Sequence, residues 1–116
     1  MVFEENDYIV IFITAGSEAE GEKIARGLAE KRLVACVNII PKIRSMYWWE
    51  GKLRDEGEVL LIAKSRKYLF TEICQMVKEL HSYQVPEIIA FSVFDGSEDY
   101  LKWIRKTIKN EEGGVV

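Results

Sequence analysis

The first third of the chain carries two hydrophobic patterns with different periods. Tyr8 to Thr14 (YIVIFIT) is a continuous β-branched run, which is typical of a strand buried on both faces. Ala15-Gly16 ends this run, and Ser17 followed by Glu20 has the spacing of a capping box. The pattern therefore predicts a helix that continues to about Arg32, with an apolar stripe formed by Ile24, Ala25, Leu28 and Ala29.

The next segment predicts a long β-hairpin. Ala35 to Trp49 is rich in β-branched and aromatic residues and is predicted as the second strand, with a bulge or an exposed edge at Pro41. Glu50-Gly51 is a turn signal that reverses the chain. Lys52 to Gly57 is polar, and Glu58 to Ser65 (EVLLIAKS) is predicted as the third strand.

The remaining segments predict a helix, a strand and a last helix. Lys67 to about His81 has one apolar face, Tyr83 to Pro86 is a loop, and Glu87 to Phe94 (EIIAFSVF) is a fourth strand. After Asp95-Gly96, Ser97 offers an N-cap to a helix whose apolar positions are Tyr100, Leu101, Ile104 and Ile108.

The order β-α-β-β-α-β-α defines the predicted fold class. It is an α+β, ferredoxin-like β-α-β-β-α-β sandwich with an extra C-terminal helix and a long protruding hairpin. Right-handed crossovers place both main helices on one face of the four-stranded sheet. The other face is left for the third helix, a ligand or a partner.

The aromatic hairpin tip predicts an oligomer. A strand of 15 residues from Ala35 to Trp49 would reach about 50 Å at ~3.3 Å per residue, whereas a domain of this size is roughly 35 Å across. An overhanging apolar tip needs a cover, and head-to-tail donation between copies closes into a ring, of which a homotrimer is the smallest. The predicted interface residues are Tyr47, Trp48, Trp49 and Glu50. The alternative is a hairpin that folds against the third helix of its own chain.

The composition argues against some classes of protein but does not indicate a function. Residues 1–116 are expected to form one domain, with 111–116 as a flexible tail. No apolar run approaches the ~20 residues that span a bilayer, and Met1 is not followed by a basic region, so a cytoplasmic protein is expected. The net charge of −3 argues against a nucleic-acid partner.

Five segments closely resemble the CutA family of divalent-cation tolerance proteins. They lie between Tyr8 and Ile108, and are ACVNIIP (35–41), SMYWWEGK (45–52), EVLLIAK (58–64), HSYQVPEIIA (81–90) and DYLKW (99–103). The resemblance implies a ferredoxin-like subunit in a tight homotrimer that exchanges its hairpins, similar in architecture to the signal-transducing PII proteins. It also implies a link to metal-ion tolerance, with copper as the metal proposed for some members.

The resemblance favours a non-catalytic metal-binding or regulatory role. The alternative is a PII-like module that binds a small anionic ligand or a protein at the subunit clefts. Two departures from the family bear on the choice. His81-Ser82-Tyr83-Gln84 stands where many members have His-Pro-Tyr-Glu, and Ile13 occupies the position of a Cys in some members credited with copper binding.

The candidate metal ligands are His81, Cys36 and Glu87. Cu(I) prefers thiolate, thioether and imidazole ligands, and the chain has one His, two Cys and three Met. His81 and Cys36 are the best donors, with Glu87 as a harder one. The alternatives are that His81 caps the C-terminus of its helix and that Cys36 is a buried residue of a central strand.

Enzyme and RNA-binding functions find little support in the sequence. There is no G-x-S-x-G, H-E-x-x-H or P-loop motif, and nothing marks Cys36 as an activated thiolate beside His81. Thr14 to Ser17 precedes a helix N-terminus but lacks the adjacent Arg that an acyl-phosphate site would need. The third strand offers no exposed aromatics for RNA, so the chain is predicted not to be an enzyme or an RNA-binding protein.

Overall fold

The computed structural model describes residues 7–111, and these form four strands and three α-helices. The strands are β1 Tyr8–Ala15, β2 Cys36–Trp49, β3 Lys52–Arg66 and β4 Ile88–Ser92. The α-helices are α1 Glu18–Glu30, α2 Phe70–Leu80 and α3 Glu98–Thr107, and a 3-10 turn, Lys67–Leu69, leads into α2. The predicted order of elements is confirmed. Of the predicted tail, residues 112–116 lie outside the described part of the chain.

The strands form one antiparallel sheet in the order β2-β3-β1-β4. β1 lies in the interior because both of its edges are paired, to β3 and to β4. β2 is an edge strand, so the expectation that Cys36 lies in a central strand is wrong. Cys36 is half-buried, because it has a strand neighbour on one side only.

Both main helices pack on the same face of the sheet. Alternate residues of β1, among them Ile11 and Ile13, are fully buried there. They join one apolar core with Leu61 of β3 and with the inward positions of the two helices, which include Ile24, Leu28, Ile73 and Val77. The predicted apolar faces of α1 and α2 form this core, except that Ala29, which was placed in the stripe of α1, is exposed.

The opposite face of the sheet stays largely open. α3 reaches one end of it, where Arg105 donates a hydrogen bond to the hydroxyl of Tyr8 at 2.9 Å. Farther along this face, Phe12 packs edge-on against Phe91 with ring centroids 5.1 Å apart. Phe91 and Ile89 of β4 remain exposed. The open face therefore presents apolar side chains beside β4, whose outer edge has no partner within residues 7–111.

The β2–β3 hairpin is longer than the rest of the sheet. A bulge lies between Ile40 and Ile43, as Pro41 predicted. Glu50 and Gly51 both have positive φ, 51° and 78°, which is the geometry of a two-residue type I′ turn. The prediction that β3 begins at Glu58 is wrong, because it begins at Lys52. Apart from Leu53 and Gly57, residues 52–57 are polar, yet they pair with β2, since the tight turn fixes their backbone register.

The hairpin gives the subunit an elongated shape. Its principal dimensions are 47 × 26 × 22 Å and its radius of gyration is 15.0 Å, against roughly 13 Å for a compact domain of this length. The tip therefore extends past the two-layer body. In the part of the chain that the structure describes, no helix is both long and apolar enough to cross a membrane.

Candidate functional site

His81 ties the end of α2 to the end of β1. Its side chain is fully buried, and its Nε2 lies 2.6 Å from the carbonyl oxygen of Thr14. Its Nδ1 accepts a hydrogen bond from the backbone N–H of Tyr83 at 3.0 Å. Because Nδ1 accepts, Nε2 must carry the proton that it donates to Thr14, which fixes the neutral tautomer. The expected contact of this imidazole with the last carbonyls of α2 is thus replaced by a contact with β1.

Glu20 joins the start of α1 to the loop after α2. Its N–H is capped by the Ser17 hydroxyl at 3.1 Å, as predicted. Its carboxylate accepts from the backbone N–H of Gly16 at 3.1 Å and of Ser82 at 2.5 Å. Burial raises the pKa of this carboxyl, but the hydrogen bonds from Gly16 and Ser82 outweigh it, so the pKa of Glu20 lies below its ordinary value. The ionised carboxylate is therefore the form that holds the loop.

Tyr83 continues this network into the open side of the sheet. Its hydroxyl donates to Glu58 Oε2 at 2.9 Å, and its ring lies 4.6 Å from the His81 ring. Burial and the bond to Glu58 raise the pKa of Tyr83, so the hydroxyl stays a donor at physiological pH. A Cβ at Gly16 would lie 3.1 Å from the Tyr83 hydroxyl, so a glycine there lets the ring approach the β1–α1 turn. The network sets the position of the 82–87 loop.

A cleft of about 760 Å³ lies between this loop and the distal half of the hairpin. The hairpin contributes aromatic and charged side chains to one wall of the cleft, among them Arg44, Tyr47, Trp49, Arg54 and Glu58. The wall from the loop is formed by Tyr83, Gln84, Val85 and Glu87. The cleft therefore combines cations, carboxylates and rings from segments far apart in the sequence.

The two arginines of the cleft differ in their partners. Arg44 forms a two-point ion pair with Asp55, at 2.9 Å through Nε and 2.6 Å through Nη2. This contact lowers the pKa of Asp55 and places a carboxylate directly against the charge of Arg44. Arg54 has no ion pair within residues 7–111, and its enclosed Nε has no hydrogen-bond partner there. An unsatisfied enclosed donor costs about 1–3 kcal/mol, which makes Arg54 the guanidinium available to an anion.

The three predicted metal ligands do not come together in one subunit. Cys36 pairs across the sheet with Lys64, which in turn pairs with Val10. The contact of His81 with β1 is at Thr14, four residues away or roughly 13 Å along the strand. Glu87 is exposed on the cleft wall.

A metal therefore does not fit the described residues of a single subunit. Across residues 7–111, no group of three or more His, Cys, Asp or Glu side chains is placed to hold an ion. His81 has no free ring nitrogen, because a ligating nitrogen would first have to give up its bond to Thr14 or to Tyr83. Any site that uses His81 requires a rearrangement of the loop and donors from elsewhere.

The predicted interface residues lie at the hairpin tip. Trp48 is 72% exposed, while Tyr47 and Trp49 face the cleft. The hydroxyl of Tyr47 donates to Glu56 at 2.5 Å, and this bond raises the pKa of Tyr47. Glu50 forms the turn itself.

Sequence reasoning missed the roles of Glu20, Glu58 and Arg54. Glu20 carried a signal, its capping-box spacing, but its second contact is with Ser82, 62 residues away. Arg54 and Glu58 lie four residues apart on one strand, so they share a face. That signal was hidden because residues 52–57 were not predicted as a strand.

The fold and the cleft define a class of small α+β proteins with a four-stranded antiparallel sheet, three helices and an extended hairpin. The profile of the CutA1 divalent ion tolerance protein family matches residues 9–107. The chain therefore belongs to this family, and the resemblance seen in the sequence is confirmed.

Named relatives agree with this assignment over most of the chain. The divalent-cation tolerance protein CutA of Archaeoglobus fulgidus is 46% identical over 99 residues, which is 85% of this chain and 96% of that protein. That of Thermus thermophilus is 42% identical over 97 residues, 84% of this chain and 94% of that protein. The chain spans little more than half of the chloroplastic CutA of Arabidopsis thaliana, 56% of its length, at 40% identity over 88% of this chain.

Solved structures share the fold closely. The structure described as the periplasmic divalent cation tolerance protein CutA from Archaeoglobus fulgidus has a TM-score of 0.85 at 43% identity, and covers 88% of this chain and 99% of that one. CutA1 from Oryza sativa has a TM-score of 0.87 at 38% identity, and covers 90% of this chain and 97% of that one. The backbone described above is thus the backbone of the family.

Proposed function

We propose that the chain is the ferredoxin-like subunit of a cytoplasmic homotrimer with a non-catalytic role in tolerance of divalent metals. Family membership supports the link to divalent cations. The strand order β2-β3-β1-β4, with both main helices on one face, supports the ferredoxin-like class. The exposed tip and the open apolar face support assembly, with Tyr47, Trp48, Trp49 and Glu50 in the interface.

The hydrogen bonds of the His81 ring support a non-catalytic role, and they are the observation on which this proposal rests. A general base needs a free nitrogen within reach of a substrate proton. Both ring nitrogens of His81 are instead bonded to backbone groups, and the side chain is fully buried. Cys36, the nucleophile considered with it, lies roughly 13 Å away along the strand direction. His81 therefore has a structural role, because it connects the end of α2 to the end of β1.

Copper bound through His81, Cys36 and Glu87 remains a prediction for the assembled protein. Calorimetric titration with copper should compare the wild-type chain with His81→Ala and Cys36→Ser. If these residues hold the metal, both substitutions lower the copper affinity, and a matched Cys74→Ser leaves it unchanged. Equal uptake by all four proteins, or uptake by none, would remove copper from these positions.

The cleft favours a second candidate, a PII-like module that binds a small anionic ligand. The supporting observation is Arg54, whose guanidinium lines the cleft without an ion pair in the described residues. An arginine in a partly enclosed site binds carboxylates and phosphates through paired N–H donors. In this function the 82–87 loop, held by His81 and Glu20, forms the second wall of the site.

A further inference from the structure

Cys36 of β2 and Lys64 of β3 place a thiol and an amine side by side. They are direct cross-strand partners, so their side chains project from the same face of the sheet. Lys64 also pairs with Val10, two residues before Phe12, which places the pair on the open face. The amine nitrogen of Lys64 lies 3.9 Å from the sulfur of Cys36. Strand pairing therefore holds two nucleophilic groups of one subunit close together.

The surroundings of this pair leave the amine close to the sulfur. Lys64 donates a hydrogen bond to the side-chain oxygen of Asn38, which stands two residues after Cys36 on the same face. The hydroxyl of Tyr100, on α3, donates a hydrogen bond to the sulfur. Within residues 7–111 no carboxylate forms an ion pair with Lys64. No salt bridge in the described chain therefore draws the amine away from Cys36.

We propose that peroxide joins Cys36 and Lys64 in a reversible covalent link between β2 and β3. Hydrogen peroxide first oxidises the thiol to a sulfenic acid, as an S–O bond forms, the O–O bond breaks and one water leaves. The Lys64 nitrogen then attacks the sulfenic sulfur. An S–N bond forms, the S–O bond breaks, and the hydroxyl leaves as water with one proton of the amine. One thiol, one amine and one peroxide thus give one sulfenamide and two waters.

This modification goes beyond a role in metal tolerance, and its chemistry requires no bound metal. Both reacting groups belong to one subunit, so a second copy contributes nothing to the link. Two equivalents of a small thiol reverse it, because they restore Cys36 and Lys64 and leave as a disulfide. A linked Cys36 has no thiolate to offer a metal, so peroxide would remove this predicted copper ligand.

Cys74 provides the matched comparison. It is half-buried like Cys36, and Lys78 lies one turn farther along the same helix. Burial raises the pKa of the Cys74 thiol, which disfavours the thiolate that reacts with peroxide. The chain has two cysteines, so Cys74→Ser also excludes an internal disulfide, which would lose the same two hydrogens as the link.

The test treats the Cys74→Ser protein, in its native assembly, with hydrogen peroxide and examines tryptic peptides by mass spectrometry. We expect a joined peptide that contains Cys36 and Lys64, is about 2 Da lighter than the sum of its parts, and resists trypsin at Lys64. Dithiothreitol should separate it into two unmodified peptides.

Substitution of Lys64 identifies the nitrogen. Lys64→Arg keeps the cation but removes the primary amine, and should lower the yield of the joined peptide about tenfold or more. Lys64→Gln is the second variant, used if sedimentation shows that Lys64→Arg does not assemble like the parent protein.

Three results would overturn the link. In the first, Cys36 is oxidised to sulfinic acid while trypsin still cleaves at Lys64. In the second, the loss of about 2 Da at Cys36 is equal in Lys64→Arg, which assigns the nitrogen to another group such as the backbone. In the third, Cys36 remains a free thiol in the native assembly under peroxide that oxidises it in the unfolded chain.

Discussion

At the residue scale, three side chains hold together the junctions between helices and strands. His81 and Glu20 satisfy backbone groups at the ends of β1 and in the loop after α2, and Tyr83 connects that loop to Glu58. Buried backbone groups need such partners, because each one left unsatisfied costs about 1–3 kcal/mol. The same three residues set one wall of the cleft, so the residues that stabilise the subunit also shape its site.

We expect Glu20 to make the free energy of unfolding depend on pH in the acid range. Its pKa is lowered in the folded state, so its contribution is present above the ordinary value of 4.5 and is lost as pH falls through the folded pKa. Glu20→Gln should reduce the free energy of unfolding by about 1–2 kcal/mol at neutral pH. It should also flatten the loss of stability as pH falls below about 4.5.

Urea unfolding at fixed protein concentration measures both effects. Glu22→Gln is the matched control, because Glu22 is exposed and pairs only with Arg26 in the described part of the chain. Its effect should stay below about 0.5 kcal/mol. If the free energy of unfolding of Glu20→Gln falls as steeply at acid pH as that of the wild type, other carboxylates cause the loss of stability in acid.

At the element scale, the hairpin is the feature that distinguishes this chain from a minimal two-layer domain. Its strands are 14 and 15 residues long and are joined by a two-residue turn. The bulge at 41–42 changes which side chains share a face. Upstream of it Ile40 pairs with Leu60, and downstream Tyr47 pairs with Arg54. The bulge thereby turns Tyr47 and Trp49 toward the cleft and leaves Trp48 exposed on the other side.

Trp48→Ala should weaken assembly more than it weakens the subunit fold. Trp48 is 72% exposed in the subunit, so its removal creates no cavity there and costs little before assembly. Covered in an interface, it would bury on the order of 150–250 Å². Sedimentation at several dilutions should show an increased dissociation constant for Trp48→Ala, while Trp103→Ala, an exposed aromatic of α3, should have a smaller effect. An oligomer as tight as wild type in Trp48→Ala would argue against the tip as the contact.

At the scale of the whole molecule, shape and surface point to association. The subunit is 47 Å long and carries an open apolar sheet face, and within residues 7–111 its sheet ends in two unpaired edges, β2 and β4. Exposed apolar strand edges pair readily with other chains, and a ring of copies covers them without leaving a free end. The length follows from the hairpin, and the open face follows from the packing of α1 and α2 on the opposite side of the sheet.

Sedimentation at micromolar concentration should therefore give a particle of three chains, about 40 kDa from a subunit of 13.4 kDa. Because unfolding would also break contacts between subunits, the melting temperature should be high and should rise with protein concentration. Scanning calorimetry over a hundredfold concentration range tests this. A 13.4 kDa particle with a melting temperature independent of concentration would contradict the homotrimer.

The elements of this fold were predictable because their signals are local. The β-branched run 8–14, the Ser17 cap and the Glu50-Gly51 turn each specify backbone geometry within a few residues. Pro41 predicted the bulge for the same reason, since a residue without an N–H cannot continue a regular ladder. The start of β3 was missed because polar side chains at 52–57 hide a strand that only its pairing with β2 defines.

The sequence by itself determined the order of the elements, the face on which the two main helices pack and the family, because periodicity and motif residues are local properties of the chain. Only the tertiary structure decided the site. It fixed both nitrogens of His81 through Thr14 and Tyr83, kept Cys36 away from them, and placed Arg54 in the cleft without a partner in the described chain. The physical reason is that hydrogen bonds and charge pairs depend on distances of a few ångströms between residues far apart in sequence, and only packing sets those distances.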